Sequence, residues 1–150
     1  MPQFTMQSPL GFLTVTEENG AITALFFGGE RDTPPATPLL REAQRQLNAY
    51  FSGTRQTFDL PLSPHGTPFQ TAVWQALCAI PYGQTRTYGE LAAAIGRPKA
   101  CRAVGMANHR NPIAIIVPCH RVIGKDGTLT GYAGGLAAKQ FLLSLEQNFL

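Results

Sequence analysis

Residues 87–108, with the sequence TYGELAAAIGRPKACRAVGMAN, have the pattern of two short helices joined by a glycine turn. Thr87 can cap the first helix by accepting a backbone hydrogen bond, and that helix is predicted to continue to Ile95. Gly96 ends it, and Pro98 in a first turn begins the second helix. The stretch therefore predicts a helix-turn-helix, although helix pairs of this kind also occur in folds that bind no nucleic acid.

The second helix of this pair is rich in small residues, namely Ala100, Cys101, Ala103 and Gly105. A glycine inside a helix costs about 1 kcal/mol relative to alanine, so small residues here indicate close approach by another group. That group is either a neighbouring helix or the minor groove of a nucleic acid. Arg102 lies among these residues, either as a solvated surface arginine or as a cationic side chain inserted into such a groove.

The composition is that of a globular protein with one domain or two small ones, since 44% of the 150 residues are hydrophobic. A net charge of +3 permits a polyanionic partner without requiring one. Three cysteines with no Cys-x-x-Cys pair argue against a disulfide framework or a zinc knuckle, and they predict a reducing, cytoplasmic location. No secretory signal is visible, and no apolar run approaches the roughly 20 residues that a membrane helix needs.

The beginning of the chain is predicted to form a small antiparallel sheet. Two strand-like runs, residues 12–16 and 21–27, flank Asn19-Gly20, which is a strong hairpin signal. Residues 3–6 are expected to add a third strand, and residues 58–62 a last edge strand.

Helical patterns follow in the remainder of the chain. A threonine cap predicts a helix over residues 37–51, and the linker SPHGTP at residues 63–68 precedes a second helix in which Trp74 is assigned to the core. We therefore expect two domains, residues 1–63 and residues 64–150.

A thiol and an imidazole are adjacent in the motif Pro118-Cys119-His120-Arg121-Val122, directly after the apolar run of residues 113–117. A strand that ends at the proline would hold Cys119 at the floor of a pocket, where His120 could help to take its proton. Each residue alone is more typical of a structural role, because cysteine is among the most buried residue types.

Other parts of the second half supply possible partners for the thiol. Residues 131–135, GYAGG, are typical of a flexible loop that lines a ligand site. Glu146 lies on a final amphipathic helix near the chain end, where a carboxylate is usually solvated; if it turns inward, it could orient His120. Cys78 and Cys101 lack a neighbouring base and are interpreted as packing residues.

Five motifs, in this order and spacing, resemble those of the O6-alkylguanine-DNA alkyltransferase family. They are Tyr82-Gly83 with Tyr88, Arg102-Ala103-Val104-Gly105, Asn111-Pro112, Pro118-Cys119-His120-Arg121-Val122 and Gly131-Tyr132-Ala133-Gly134-Gly135. The resemblance is specific from residue 67 to the end and weaker before it. It implies an α+β fold with a ribonuclease-H-like N-terminal domain, in which a small antiparallel sheet accompanies a helix. A mostly helical, winged-helix-like domain with the helix-turn-helix would follow.

The resemblance also implies a reaction: one irreversible transfer of an alkyl group from O6 of guanine, or O4 of thymine, in double-stranded DNA to Cys119. In that reaction His120 would act as a base through a water molecule, and Glu146 would orient His120. Tyr88 would donate a proton to guanine N3 as the base leaves.

The remaining roles implied by the resemblance concern binding. Arg102 would fill the gap left by the flipped nucleotide, and Ala100, Cys101, Ala103 and Gly105 would lie against the minor groove. Val122, Tyr132 and Ala133 would line the guanine pocket, and Asn111 would brace the turn between the recognition helix and the active-site strand. Some family members carry serine where this chain has Ala133, so only its backbone N–H could contact guanine O6. We expect a monomer with no metal, no cofactor and no membrane association.

Two other functions stay open at this level. One is a DNA-binding protein that senses alkylated bases without transfer, a role in which the acceptor cysteine is replaced, whereas this chain has Cys119. The other is a thiol hydrolase that uses Cys119 and His120, but such an enzyme has no need of the helix-turn-helix or of Arg102.

Overall fold

The computed structural model describes residues 1–150 and has an α+β architecture. The strands are β1 (Gln3–Ser8), β2 (Gly11–Glu18), β3 (Ala21–Phe27), β4 (Arg86–Thr87) and β5 (Val122–Ile123). The helices are α1 (Pro38–Phe51), α2 (Pro68–Cys78), α3 (Tyr88–Ala94), α4 (Cys101–His109) and α5 (Leu136–Asn148), with a short 3-10 helix at Cys119–Arg121. A small antiparallel sheet with one helix precedes a mostly helical second half, which confirms the predicted fold class.

Strands β1, β2 and β3 form an antiparallel sheet in chain order. The turn between β2 and β3 consists of Asn19 and Gly20, whose φ angles are 50° and 79°. Asparagine and glycine adopt these left-handed angles more easily than other residues, and the resulting turn matches the twist of the two strands. The predicted hairpin is confirmed.

The loop at residues 28–38 covers the free edge of β1. Thr33 donates its backbone N–H to the Thr5 carbonyl at 3.0 Å, and Thr5 donates its own N–H to Thr33 Oγ1 at 2.8 Å. Two residues along, Asp32 Oδ1 accepts a hydrogen bond from the Gln7 N–H at 2.9 Å. Because an uncovered edge strand can pair with another chain, the loop has a protective role that the sequence did not indicate.

One cluster of buried apolar side chains includes residues from both halves of the chain. Leu40, Leu47 and Tyr50 of α1 are fully buried in it. Trp74 is also buried, and its Nε1 donates a hydrogen bond to the Ala107 carbonyl at 2.8 Å, which joins α2 to α4. The assignment of Trp74 to the core is confirmed, whereas the domain division between residues 63 and 64 stays a prediction.

Helices α3 and α4 form the predicted helix-turn-helix. Thr87 and Glu90 form a capping box, in which each side chain accepts a hydrogen bond from the other residue's backbone N–H. Gly96 lies in the turn after α3 with φ of 75°, a conformation that favours glycine. These local signals account for the correct prediction of α3.

The start of α4 was predicted three residues too early. Pro98 lies in a separate turn, which closes when the Ala100 N–H donates to the Arg97 carbonyl at 2.9 Å. Regular helical conformation begins only at Cys101. A proline fits the first turn of a helix and a β-turn equally well, so the sequence signal did not separate the two.

The predicted strand at residues 113–117 is wrong. Only Ile113 forms a bridge, to Leu25 of β3, after which the chain turns and the Val117 N–H donates to the Ile113 carbonyl at 3.0 Å. Asn111 Nδ2 donates a hydrogen bond to the Val117 carbonyl at 2.9 Å. In a strand this carbonyl would instead pair with the backbone of a neighbouring strand. All five residues are buried, and a continuous apolar run has no period that distinguishes a strand from another buried segment.

The predicted edge strand at residues 58–62 is reduced to a single bridge between Leu62 and Ile22. Ile22 donates its N–H to the Pro61 carbonyl and accepts from the Ser63 N–H, both at 2.8 Å. Pro61 has no N–H to donate, so the ladder does not extend.

Candidate active site

Cys119 is the first residue of the 3-10 helix and lies at a small cavity. The other lining residues come from α4, the turn that follows it and the loop before α5: Asn108, His109, Asn111, Ala114, Gly131, Tyr132 and Ala133. Cys119 is 6% exposed, and the cavity has about 10 Å³ of free space, which suits one water molecule. The surrounding loop therefore has to move before a molecule larger than water can reach the sulfur.

Burial raises the pKa of the Cys119 thiol to about 11, although a hydrogen bond from Asn111 and the charge of Lys139 act in the opposite direction. A free cysteine has a pKa of about 8.5 and is already mostly protonated at neutral pH. The thiolate is the reactive form of cysteine. Reaction at Cys119 therefore requires a base that removes the proton.

His120 is fully buried beside Cys119, and its Nε2 lies 2.7 Å from Glu146 Oε2. Burial alone would raise the pKa of Glu146, but hydrogen bonds from His120 and Arg121 outweigh it and lower that pKa to about 2. The ionised carboxylate can only accept, so Nε2 carries the proton and Nδ1 keeps a lone pair. Nδ1 is buried and has no hydrogen-bond partner in the protein, which leaves it available as a base.

Glu146 turns inward and is fully buried. Its two carboxylate oxygens also accept from Arg121 Nε at 2.9 Å, Arg121 Nη2 at 3.0 Å, the Gly83 N–H at 3.0 Å and Tyr50 Oη at 2.6 Å. Charge-assisted hydrogen bonds of this kind hold a carboxylate in one orientation. Sequence reasoning missed Tyr50 as a partner because its place on the apolar stripe of α1 indicated only a core residue.

Tyr88 is the first residue of α3, and its Oη lies 2.5 Å from Thr130 Oγ1. Its ring borders a cleft of about 520 Å³ on the outer side of the helix-turn-helix. The other lining residues belong to α4 and its C-terminal end: Cys101, Arg102, Gly105, Met106, His109 and Arg110. Met106, His109 and Arg110 were not singled out from the sequence, although two of them add basic side chains to this surface.

Arg102 is exposed on α4 and forms no salt bridge. Cys101 and Ala103 are exposed beside it, and Ala100 and Gly105 are half-buried. The face of α4 thus presents a free cation among small side chains, without competing carboxylates in contact with it.

The predicted pocket residues occupy different places. Ala133 is exposed at the rim of the cavity, and Tyr132 is buried with its ring edge-on to Phe27 at 5.6 Å and to His120 at 6.5 Å. Val122 is fully buried in β5, where it pairs with Arg86, and it does not line the cavity.

The interpretation of Cys78 and Cys101 as packing residues is wrong, because both are exposed. Cys78 follows the buried Leu77 near the end of α2, and Cys101 lies on the outer face of α4. The helical position of each sulfur, rather than the general tendency of cysteine to be buried, decides its exposure.

No group of three or more His, Cys, Asp or Glu side chains is arranged to hold a metal ion. None of the helices combines the length and the apolar character needed to cross a membrane.

The fold and the site together define a class: helix-turn-helix proteins in which a buried thiol, with a histidine and a carboxylate behind it, lies next to the second helix of that motif. Two family models match this chain. The model described as 6-O-methylguanine DNA methyltransferase, ribonuclease-like domain, matches residues 3–64, and the one described as 6-O-methylguanine DNA methyltransferase, DNA binding domain, matches residues 68–148. The chain belongs to the 6-O-methylguanine DNA methyltransferase family, which confirms the resemblance drawn from its motifs.

Similar proteins carry matching names. A methylated-DNA–protein-cysteine methyltransferase of Methanosarcina barkeri is 56% identical, with 97% of this chain and 96% of that protein covered. The constitutive protein of the same name from Bacillus subtilis is 53% identical, with coverage of 95% and 93%.

Solved structures agree with this assignment. The crystal structure of a Mycobacterium tuberculosis O6-methylguanine methyltransferase matches with a TM-score of 0.88 at 49% identity and covers all of this chain and 95% of that one. A crystal structure of the Mycobacterium tuberculosis protein OGT in complex with DNA matches with the same TM-score and identity, with coverage of 98% and 93%.

Proposed function

We propose that this protein repairs double-stranded DNA by moving an alkyl group, mainly methyl, from O6 of guanine to Cys119. Alkyl groups on O4 of thymine are further substrates of the same site. The observation that carries the proposal is the placement of Cys119 at a cavity next to the helix-turn-helix, with His120 and Glu146 buried behind it. Membership of the methyltransferase family agrees with this reading.

The thiol proton leaves through His120. Because the pKa of Cys119 is raised, the sulfur is protonated until the substrate arrives. His120 Nδ1 accepts the proton through a water molecule, and Glu146 stabilises the imidazolium that forms. Glu146 thus acts on orientation and charge, while His120 acts as the base.

The sulfur then attacks the alkyl carbon, forming the S–C bond as the C–O6 bond breaks. Negative charge develops on the leaving purine, and Tyr88 donates its hydroxyl proton to guanine N3. The product is a thioether, which has no carbonyl for water to attack. Cys119 therefore stays alkylated, and each molecule acts once.

The target atom is hidden inside the duplex, so the nucleotide has to rotate out of the stack at a cost of a few kcal/mol. Arg102 offsets part of this cost by filling the vacated space. The small residues of α4, namely Ala100, Cys101, Ala103 and Gly105, allow the helix to approach the minor groove. The unpaired state of Arg102 supports this role, since no ion pair has to break first.

The flipped base enters the cavity at Cys119 after the loop at residues 131–135 moves outward. Tyr132 and the backbone of Ala133 then line the purine, and Asn111 keeps the chain after α4 in its tight turn. Val122 supports this pocket from behind, since it is buried away from the cavity.

The two alternative functions are less well supported. A sensor that binds alkylated bases without transfer has no use for a cysteine with a buried base beside it. A thiol hydrolase has no use for the free cation on α4. The expected monomeric state, the cytoplasmic location and the independence from metals and cofactors stay predictions.

Mass spectrometry of the protein after exposure to excess duplex containing O6-methylguanine tests the proposal. We expect one methyl group per molecule, located on Cys119. The exposed Cys78 and Cys101 serve as internal controls and are expected to stay unmodified. A Cys119→Ser variant should bind the same DNA and gain no methyl group. Release of several equivalents of demethylated DNA per protein molecule would contradict the single-use mechanism.

A further inference from the structure

Asn108 is a polar residue on the buried side of α4. It is 4% exposed, and the other buried residues of this helix are the apolar Val104 and Ala107. Its Oδ1 atom is buried and has no hydrogen-bond partner in the protein. Because a buried polar atom without a partner destabilises a fold, its presence calls for an explanation, and the mechanism described above makes no use of Asn108.

The Asn108 side chain lines the cavity at Cys119. A second amide, that of Asn111, lines the same cavity, but its polar atoms are already engaged. Asn111 Nδ2 donates to the Ile113 and Val117 carbonyls, and Asn111 Oδ1 accepts from the Ile113 N–H. Asn108 therefore supplies the free carboxamide of this cavity.

Asn108 also lies near the boundary between the cavity and the cleft beside Tyr88, because the next residue, His109, lines both. In the proposed reaction the base has O6 at Cys119 and N3 toward Tyr88. Between these two atoms, the pairing edge of the base carries N1 and the 2-amino group. A side chain at this boundary is therefore placed to contact that edge.

The two proposed substrates differ in the hydrogen-bond donors that this edge offers. Alkylation at O6 removes the hydrogen from guanine N1, so the 2-amino group is the remaining N–H donor on the base. Alkylation at O4 removes the hydrogen from thymine N3, and thymine has no amino group. A carboxamide oxygen is an acceptor and pairs only with a donor. An acceptor that faces the edge therefore distinguishes the two bases.

We propose that Asn108 is a specificity-determining residue, whose Oδ1 accepts a hydrogen bond from the 2-amino group of O6-alkylguanine. The inference rests on the proposed function and deepens it. O6-alkylguanine gives the buried oxygen the partner that it lacks in the protein, whereas O4-alkylthymine leaves the oxygen unpaired. A site built to hydrogen-bond one group of its substrate discriminates against analogues without that group.

Tyr132 Oη is also buried without a hydrogen-bond partner at this cavity, so it is the competing acceptor. Tyr132 belongs to the loop at residues 131–135, which has to move before the base enters. Asn108 is held in α4, where Trp74 Nε1 donates to the carbonyl of the preceding Ala107 at 2.8 Å. A helix positions a polar group more precisely than a loop, so Asn108 is the better placed of the two.

The test removes the carboxamide from the protein and the amino group from the substrate. Single-turnover rates of methyl transfer are measured on duplexes that contain O6-methylguanine, O6-methylhypoxanthine or O4-methylthymine. O6-methylhypoxanthine is the same purine without the 2-amino group. Asn108→Leu replaces the carboxamide with an apolar side chain of similar size, and Asn108→Ala is a second truncation. Asn48→Leu makes the same change at an exposed position of α1 and is the matched control.

We expect the wild-type protein to repair O6-methylguanine about tenfold faster than O6-methylhypoxanthine, the scale of a hydrogen bond lost from a buried acceptor. Asn108→Leu and Asn108→Ala should repair the two purines at rates within about twofold of each other. Their rates on O4-methylthymine should stay near the wild-type rate, so the preference for guanine over thymine falls about tenfold. Asn48→Leu should keep all three wild-type rates.

An Asn108→Leu variant that keeps the wild-type ratio between the two purines would overturn the inference. A wild-type protein that does not distinguish the two purines would overturn it as well, as would loss of the distinction in Tyr132→Phe rather than in Asn108→Leu. Each ratio compares two substrates on one protein, so partial unfolding of a variant cannot imitate the expected result. Failure of the proposed function looks different: the wild-type protein itself would then leave O6-methylguanine unrepaired.

Discussion

At the scale of single residues, the site depends on which side chains carry charge. Glu146 is buried yet ionised because His120, Arg121, Tyr50 and Gly83 all donate to it. Its charge holds the His120 proton on Nε2, which leaves the lone pair of Nδ1 free. Burial raises the pKa of the Cys119 thiol, so the proposed reaction needs a base, and His120 is the one we propose.

The dependence of the rate on pH follows from the state of His120. Burial lowers the pKa of His120, with the charges of Arg121 and Lys139 in the same direction, even though Glu146 opposes them. A protonated His120 cannot accept the Cys119 proton. We expect the single-turnover rate of methyl transfer to stay constant as the pH falls through about 6.5, the ordinary pKa of a histidine side chain. The rate should decline only at lower pH.

The exposed His65 provides a control for that profile, because it pairs with Glu18 on the surface. His65→Gln should leave both the rate and its pH dependence unchanged. If the rate instead declined around a pH at or above the ordinary histidine pKa, His120 would not be the base.

At the scale of elements, the two sides of α4 carry different kinds of side chain. Its buried side carries Val104 and Ala107 into the core, and its outer side carries Arg102 among small residues. Small side chains next to an arginine let a helix approach a groove closely, although the larger Met106 is also exposed one turn further along α4. Sequence reasoning left the small residues undecided between helix packing and DNA contact, and the exposure of Cys101 and Ala103 favours the second.

Arg102→Ala should slow repair mainly where a nucleotide has to leave a base stack. Because flipping in a duplex costs a few kcal/mol, we expect a loss of at least tenfold on duplex substrate and a much smaller loss on a single-stranded oligonucleotide. Single-turnover rates on the two substrates measure the difference. Arg45→Ala removes another exposed arginine, from α1, and should leave both rates unchanged. Equal losses for Arg102→Ala on both substrates would assign it to phosphate binding instead.

At the scale of the whole molecule, one hydrogen bond joins the first half of the chain to the buried Glu146 carboxylate. Tyr50 on α1 donates to Glu146 on α5, and the two residues are 96 positions apart. The N-terminal half therefore supports the site directly, in addition to sharing its core.

Tyr50→Phe should lower the free energy of unfolding by about 2 kcal/mol, the usual contribution of a hydrogen bond to a charged group. Tyr82→Phe is the matched control, because Tyr82 Oη is buried without a hydrogen-bond partner and its removal should change stability by less than about 0.5 kcal/mol. Urea unfolding at neutral pH measures both. Similar effects for the two variants would show that the Tyr50–Glu146 contact contributes little.

The parts of the fold that were predicted correctly have local causes. Asn19-Gly20 determines a turn by its own backbone preferences, and Thr87 caps a helix that begins at the next residue. The parts that were missed depend on distant residues. Residues 113–117 form turns because Asn111 binds the Val117 carbonyl, and Tyr88 meets Thr130 across 42 positions of sequence.

The sequence by itself determined the helix-turn-helix and the five motifs, including the one around Cys119; these were enough to recognise the family, and the resemblance in turn implied the α+β class. Only the tertiary structure decided that Glu146 turns inward, that His120 Nδ1 has no hydrogen-bond partner in the protein, and that Lys139 is buried against Thr130. The physical reason is that turns, caps and motifs depend on neighbouring residues. Protonation states depend on burial and on partners brought together by folding, and no local pattern encodes them.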